Sequence, residues 1–335
     1  MFVTGCHRSG TSLLAGLLSD LRGNQARADD LEATIENPQG FFESRRLMEL
    51  NDSLLESIGC GWNCVPIMPT SWSSPSLMPR FVELRSALAS YALNRQWIDK
   101  DPRLCLTYPA YLHILLRRVP LVASLRQPIA VATSLYARNG LPLDAGLALW
   151  FVYNHHLCSV MQQGDLLVSY QNLLGLAEKN TRDATLSSFD GFLAVHDGSP
   201  PPMEAWDRVI QARVQPALNR SIDALPRAVA DGIHGPLKSA AEEAYAHVVD
   251  CGTTLEAFLE AFAALPRPVL DALQRHDLTP QIGCYLERAN QLESELAASR
   301  QRCDHLQNQL NGIQSSTVWR WSAPLRHGLD RLRAS

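Results

Sequence analysis

The chain has 335 residues, 46% hydrophobic and 19% charged, enough apolar material for one large domain or two smaller ones. A formal net charge of −4 argues against nucleic acid or a general polyanion as partner, since those need a basic surplus, while leaving room for a local basic site. The longest apolar run, 141–161, is interrupted by Asp144, Asn154, His155 and His156 and falls short of a membrane span.

Strand-like runs are expected at Phe2–Thr4, Gln96–Ile98, Pro120–Leu125 and Asp165–Tyr170. Helical patterns lie between them at Ser12–Leu21, Ser44–Ile58, Met78–Asn94, Ile129–Arg138 and Leu143–Gln163. Strands alternating with helices predict an α/β fold with a central parallel sheet. The segment Cys64–Pro79 carries Pro66, Pro69, Pro75 and Pro79, cannot continue a helix, and reads as a surface loop or lid. After Ala205 the pattern is helical. From Ile282 the apolar positions Ile282, Tyr285, Ala289, Leu292, Leu296, Leu306, Leu310 and Ile313 follow a 3,4 spacing that predicts a coiled coil, weakened at Ser299 and Cys303. A long amphipathic helix lying on its own domain would show the same spacing over a shorter run. The tail around Trp319, Trp321 and Arg326 mixes tryptophan with arginine and suits a membrane surface or a partner protein. No leader is expected ahead of the first strand, so the chain reads as cytoplasmic or membrane-peripheral. The eight cysteines, at 6, 60, 64, 105, 158, 251, 284 and 303, have no framework spacing and read as reduced thiols, and no metal site is expected.

The most informative stretch is the first. Gly5-Cys6-His7-Arg8-Ser9-Gly10-Thr11-Ser12 joins the first strand to the first helix by a glycine-bracketed turn, spaced like a P-loop but with Thr11 where the lysine would stand. Backbone N–H groups of such a turn and the helix N-terminus behind it form an anion cradle with or without a lysine, and here Arg8 is the cation inside it. A kinase or triphosphatase needs that lysine and a carboxylate for Mg²⁺, yet the strand 121–125 ends in Arg126. Ser134 follows Arg126 by two helical turns, so a guanidinium and a hydroxyl could close on one phosphate. Alone that spacing carries no information; with the cradle it suggests a ligand with two separate phosphates.

Together these motifs resemble the sulfotransferases that use 3′-phosphoadenosine-5′-phosphosulfate. In that family a G-x-x-[KR]-S-G-T-[ST] loop holds the 5′-phosphosulfate, and a strand-end arginine with a serine eight residues on holds the 3′-phosphate. Asn37-Pro-Gln-Gly-Phe-Phe-Glu43 resembles a block of its bacterial and carbohydrate-acting members, and Lys100-Asp-Pro-Arg103 resembles a segment shared with tyrosylprotein sulfotransferases. Val168-Ser-Tyr170-Gln171 resembles a Y-E-x-L segment with Gln171 in place of the glutamate. The resemblance spans 1–225. It implies a P-loop-like three-layer fold there; the residue pattern beyond it adds a helical extension over 226–281, a coiled coil over 282–314 and a Trp/Arg tail over 315–335.

The resemblance implies sulfuryl transfer to a hydroxyl of a carbohydrate or related envelope molecule, with no metal. Such transfer needs a base on the acceptor hydroxyl and cations on the leaving oxygens. Glu43 is the chosen base, with Glu36 in reserve; its alternative role is a carboxylate at the N-terminus of the helix from Ser44. Arg8 and Lys100 would stabilise the leaving phosphate and the sulfuryl oxygens, Lys100 having a solvated strand-end lysine as its alternative. His7 would contact the phosphosulfate or point to solvent, and Asp101 with Arg103 would pair together or touch the acceptor. The coiled coil implies a homo-oligomer. The rival reading is a non-catalytic scaffold in which a degenerate nucleotide fold supports the coiled coil.

Overall fold

A computed structural model describes residues 1–23, 30–31, 40, 42–65, 72, 77–93, 98–214, 233–279, 282–317 and 321–322. Among them four strands form one parallel sheet: β1 (Phe2–Thr4), β2 (Asp99–Lys100), β3 (Leu121–Leu125) and β4 (Leu166–Ser169), in the order β2-β1-β3-β4. Phe2 lies opposite both Asp99 and Leu121, and Val122 opposite Leu166. Every residue of the four strands is buried, as expected of parallel strands covered on both faces. Alternation along the strands sends Phe2, Leu121, Ala123, Leu125 and Leu167 into one apolar cluster and Val3, Val122, Leu166 and Val168 into a second, so the sheet is the partition between two cores.

Thirteen helices accompany the sheet among the described residues. The second core is closed by α1 (Thr11–Leu21), α7 (Tyr170–Gly175), α8 (Lys179–Asp197) and α9 (Met203–Arg213). The first is closed by α2 (Arg45–Ser57), α3 (Met78–Leu93), α4 (Leu104–Leu115), α5 (Pro128–Asn139) and α6 (Leu143–Cys158). The same core also takes in α10 (Gly235–Asp250), α11 (Leu255–Phe262) and α12 (Arg267–Arg275). Phe262 sets its ring 5.2 Å from Trp150 and 5.8 Å from Phe151, Arg275 Nη1 donates to Asp144 Oδ2 at 2.8 Å, and Val65 N donates to Leu278 O at 3.0 Å. The helical extension therefore belongs to the compact unit Met1–Pro280. The second unit, Gln281–Ser335, holds α13 (Ile282–Ser315), a 34-residue helix on which Leu296, Leu306, Leu310 and Ile313 are exposed.

Sequence and structure differ in instructive places. The helix expected to reach Gln163 ends at Cys158, and a turn through Gly164 leads into β4. Of the proline-rich segment read as a surface loop, Trp72 and Leu77 are buried, and Trp72 Nε1 donates to Leu106 O at 3.0 Å; most of the rest lies outside the described residues, as do Gln96 and Trp97. An apolar anchor thus interrupts a stretch whose prolines suggested only surface.

The chain leaves β1, forms β2 on one side of it, and crosses through α4 to form β3 on the other side. The carboxyl ends of β1 and β3 therefore flank a topological switch point, where open α/β sheets bind ligands.

Candidate anion site at the carboxyl end of the sheet

Residues 5–10 turn away from the end of β1 under tight steric control. Gly5 has φ 141°, and a Cβ there would stand 2.4 Å from Ser124 O on β3. Gly10 has φ 87°, and its Cβ would meet the Tyr170 ring at 2.3 Å. Between them Arg8 itself is left-handed at φ 67°, a conformation that costs a non-glycine residue on the order of 1 kcal/mol and clusters at ligand sites. Ser124 Oγ donates to Ser9 O at 2.6 Å and ties the turn to β3. Behind the turn α1 begins at the buried Thr11, followed by Ser12, with no acidic residue in its first turn. The positive end of the helix dipole therefore faces the turn unopposed from its own helix.

The other half of the expected site arrives from β3 and α5. Arg126 Nη1 donates to Arg8 O at 2.8 Å, and Arg8 Nε donates to Ser134 Oγ at 2.8 Å. Three residues singled out in two distant motifs thus meet at one corner. Arg126 also lies with its guanidinium 4.2 Å from the Tyr170 ring centre, and its carbonyl accepts from Trp150 Nε1 at 2.9 Å. Burial pulls this guanidinium down from its ordinary value, though arginine stays charged.

Glu43 and Lys100 form a direct ion pair at the end of β2, with Lys100 only 2% exposed. Glu43 stands directly before the start of α2, so the helix dipole favours its carboxylate as well as Lys100 does. The N-cap of α2 is Ser44, whose Oγ accepts from Leu47 N at 3.2 Å, and Lys100 is no solvated strand end. The segment bearing Glu43 is held by its neighbours: Leu31 N donates to Glu43 O at 2.8 Å, and the Phe42 ring lies beside Gly16 with the Arg213 guanidinium 4.9 Å from its centre. Glu36 lies outside the described residues.

Asp101 is 1% exposed and accepts from Arg103 N at 2.8 Å, Arg103 Nη1 at 3.2 Å and Asn51 Nδ2 at 2.9 Å. Burial outweighs Arg103 and, with Glu43 adding to it, raises the carboxyl to about 6. Asp101 and Arg103 therefore pair with one another, the structural option among those the sequence left open.

His7 does not point freely into solvent. Its ring lies 5.0 Å from Trp62 and 5.4 Å from Tyr153, and Nε2 is shut off from solvent with no hydrogen-bond partner. Ser9 Oγ is a second buried atom of the turn without a partner. Burial and then the Arg103, Lys100, Arg138 and Arg8 cations hold the imidazole well below its ordinary range. Burial likewise pushes the Cys6 thiol well above the thiol range, which makes it an inert packing group.

Several members of the site carry no local signal. Asn51 accepts from Thr107 Oγ1 at 2.7 Å and Tyr111 OH at 3.0 Å while serving Asp101, and its mark in the sequence is a polar residue on the apolar stripe of Leu47, Leu50 and Leu54. Tyr170 at the start of α7 and Trp150 in α6 reach Arg126 from helices that only the fold brings together. Gln171, the departure from the family pattern, accepts from Tyr245 OH on α10 at 2.5 Å. Compared with models of known protein families the chain matches none, and among curated proteins no significant relative is found.

Proposed function

We propose that this chain is a sulfotransferase that moves a sulfuryl group from 3′-phosphoadenosine-5′-phosphosulfate to a hydroxyl, with residues 1–225 as a P-loop-like nucleotide fold. The observation that carries the reading is the convergence of Arg8, Arg126 and Ser134 through two hydrogen bonds of 2.8 Å. The residues fit such a ligand: a turn closed to a Cβ at Gly5 and Gly10, two buried polar atoms without partners, and cations on four different elements. In this reading the turn from Gly5 to Ser12 binds the phosphosulfate, and Arg126 with Ser134 binds the 3′-phosphate once Arg8 turns from Ser134 to the ligand. Arg8 and Lys100 oppose the charge that builds on the leaving oxygens. Glu43 takes the acceptor proton, releasing Lys100 toward the transferring group as it does so. The acceptor is a carbohydrate or related envelope molecule, α13 pairs with a second copy as a coiled coil, and the protein is cytoplasmic with its tail at a membrane or partner.

Calorimetric titration with adenosine 3′,5′-bisphosphate tests the nucleotide half of this reading. Arg126→Ala is expected to weaken binding roughly 10- to 100-fold, the size of a lost hydrogen bond to a charged group. No binding by the unsubstituted chain would favour the scaffold reading instead.

A further inference from the structure

His7 lies in the Gly5–Ser12 turn between Cys6 and Arg8, so on the reading above its ring is carried by the loop that holds the anion, packed between Trp62 and Tyr153. Cations bear on it electrostatically from four places in the fold: Arg103 from the start of α4, Lys100 from β2, Arg138 from the last turn of α5 and Arg8 from the turn. From α6 comes Tyr153, a phenol kept neutral by burial, whose hydroxyl donates to Trp62 O at 2.6 Å. The acids of this corner are already engaged, Glu43 by Lys100 and Asp101 by Arg103 and Asn51. The imidazole thus stands among cations with no carboxylate of its own and with Nε2 unpartnered.

In that setting the free protein holds His7 neutral, because burial and like charge both penalise the imidazolium. A ligand bearing several negative charges offsets those cations and so lifts the like-charge penalty on the imidazolium. We propose that His7 takes up a proton as the anion enters the cradle, so that ligand binding and imidazolium formation at position 7 are one coupled event. The proton comes from solvent and bonds to a ring-nitrogen lone pair, and no bond of the ligand breaks. The bound state then holds more protons than the free state, so affinity rises as pH falls, until the free imidazole itself protonates. This coupling rests on the reading of the cradle as a nucleotide site and adds a proton to it.

The test is calorimetry of the full chain with adenosine 3′,5′-bisphosphate near pH ~6, in buffers of low and high ionisation enthalpy, beside His7→Asn. The unsubstituted chain is expected to take up a larger fraction of a proton than the variant, and its affinity to fall more steeply between pH ~6 and ~7.5; the difference removes the ligand's own phosphate ionisation. Imidazole NMR of the unsubstituted chain gives the same reading without a variant, as one histidine that becomes protonated at saturating ligand. Binding with equal proton uptake in both chains, or a histidine spectrum unchanged by ligand, overturns the coupling and leaves the nucleotide site standing. Absence of binding by the unsubstituted chain removes the nucleotide site and this coupling with it.

Discussion

Asp101 shows how a site residue can cost stability. Its carboxyl is raised to about 6 from an ordinary 3.8, so the folded state holds a proton that the unfolded chain has released. The sign follows from linkage: Asp101 contributes nothing below about pH 4, and stability falls as pH rises from about 4 to about 6, staying lower above that. Each unit of such a shift is about 1.4 kcal/mol, so the loss is of the order of 1–3 kcal/mol. Denaturant unfolding at several pH values is expected to show this slope in the unsubstituted chain and to lose it in Asp101→Asn. The variant also faces two amide groups toward each other, since Asn51 Nδ2 donates to the carboxylate now, so its stability at low pH is expected to drop. The K-D-P resemblance marked the residue; that it pairs with Arg103 and Asn51 followed only from burial, which the sequence does not print.

At the scale of elements the cradle is a strand, a turn and a helix whose closure depends on two missing side chains. Gly10→Ala combines a left-handed backbone with a Cβ driven into the Tyr170 ring, the ring on which Arg126 rests. Gly140→Ala is the matched control, being left-handed at φ 67° but with nothing within 4 Å of its Cβ. Both are expected to lower stability by roughly 1–2 kcal/mol through backbone strain. Only Gly10→Ala is expected to lose adenosine 3′,5′-bisphosphate binding as well, read by thermal melting and calorimetry side by side. The strand–turn–helix here was legible because glycine spacing and the apolar run of β1 are local signals. α4 was not: Leu104–Leu115 is apolar nearly all round and contains Pro109, so no amphipathic period marks it, and it is helical because the first core surrounds it.

For the whole molecule, the division that matters falls at Pro280. A chain ending at 281 keeps the compact unit intact and is expected to melt where the full chain does, while analytical ultracentrifugation shows a lower oligomeric mass; an unchanged mass would remove the coiled-coil assembly. A chain ending at 232 takes Phe262 away from Trp150 and Phe151, and Phe258, Leu237, Val269 and Leu273 from the same core. At about 1.5–3 kcal/mol for each large apolar side chain, that loss is as large as the usual 5–15 kcal/mol of total stability, so this chain is expected not to fold, as judged by circular dichroism. By itself the sequence determined what is written in short-range pattern: the α/β class from alternating runs, the turn at Gly5–Ser12 from glycine spacing, and the long C-terminal helix from its period. The tertiary structure alone decided which of those pieces meet, bringing Arg8 to Ser134, Glu43 to Lys100 and Tyr245 to Gln171 across 126, 57 and 74 positions. Such contacts form because the sheet order and the two cores fold distant segments together, and no local spacing encodes a meeting that depends on everything packed between.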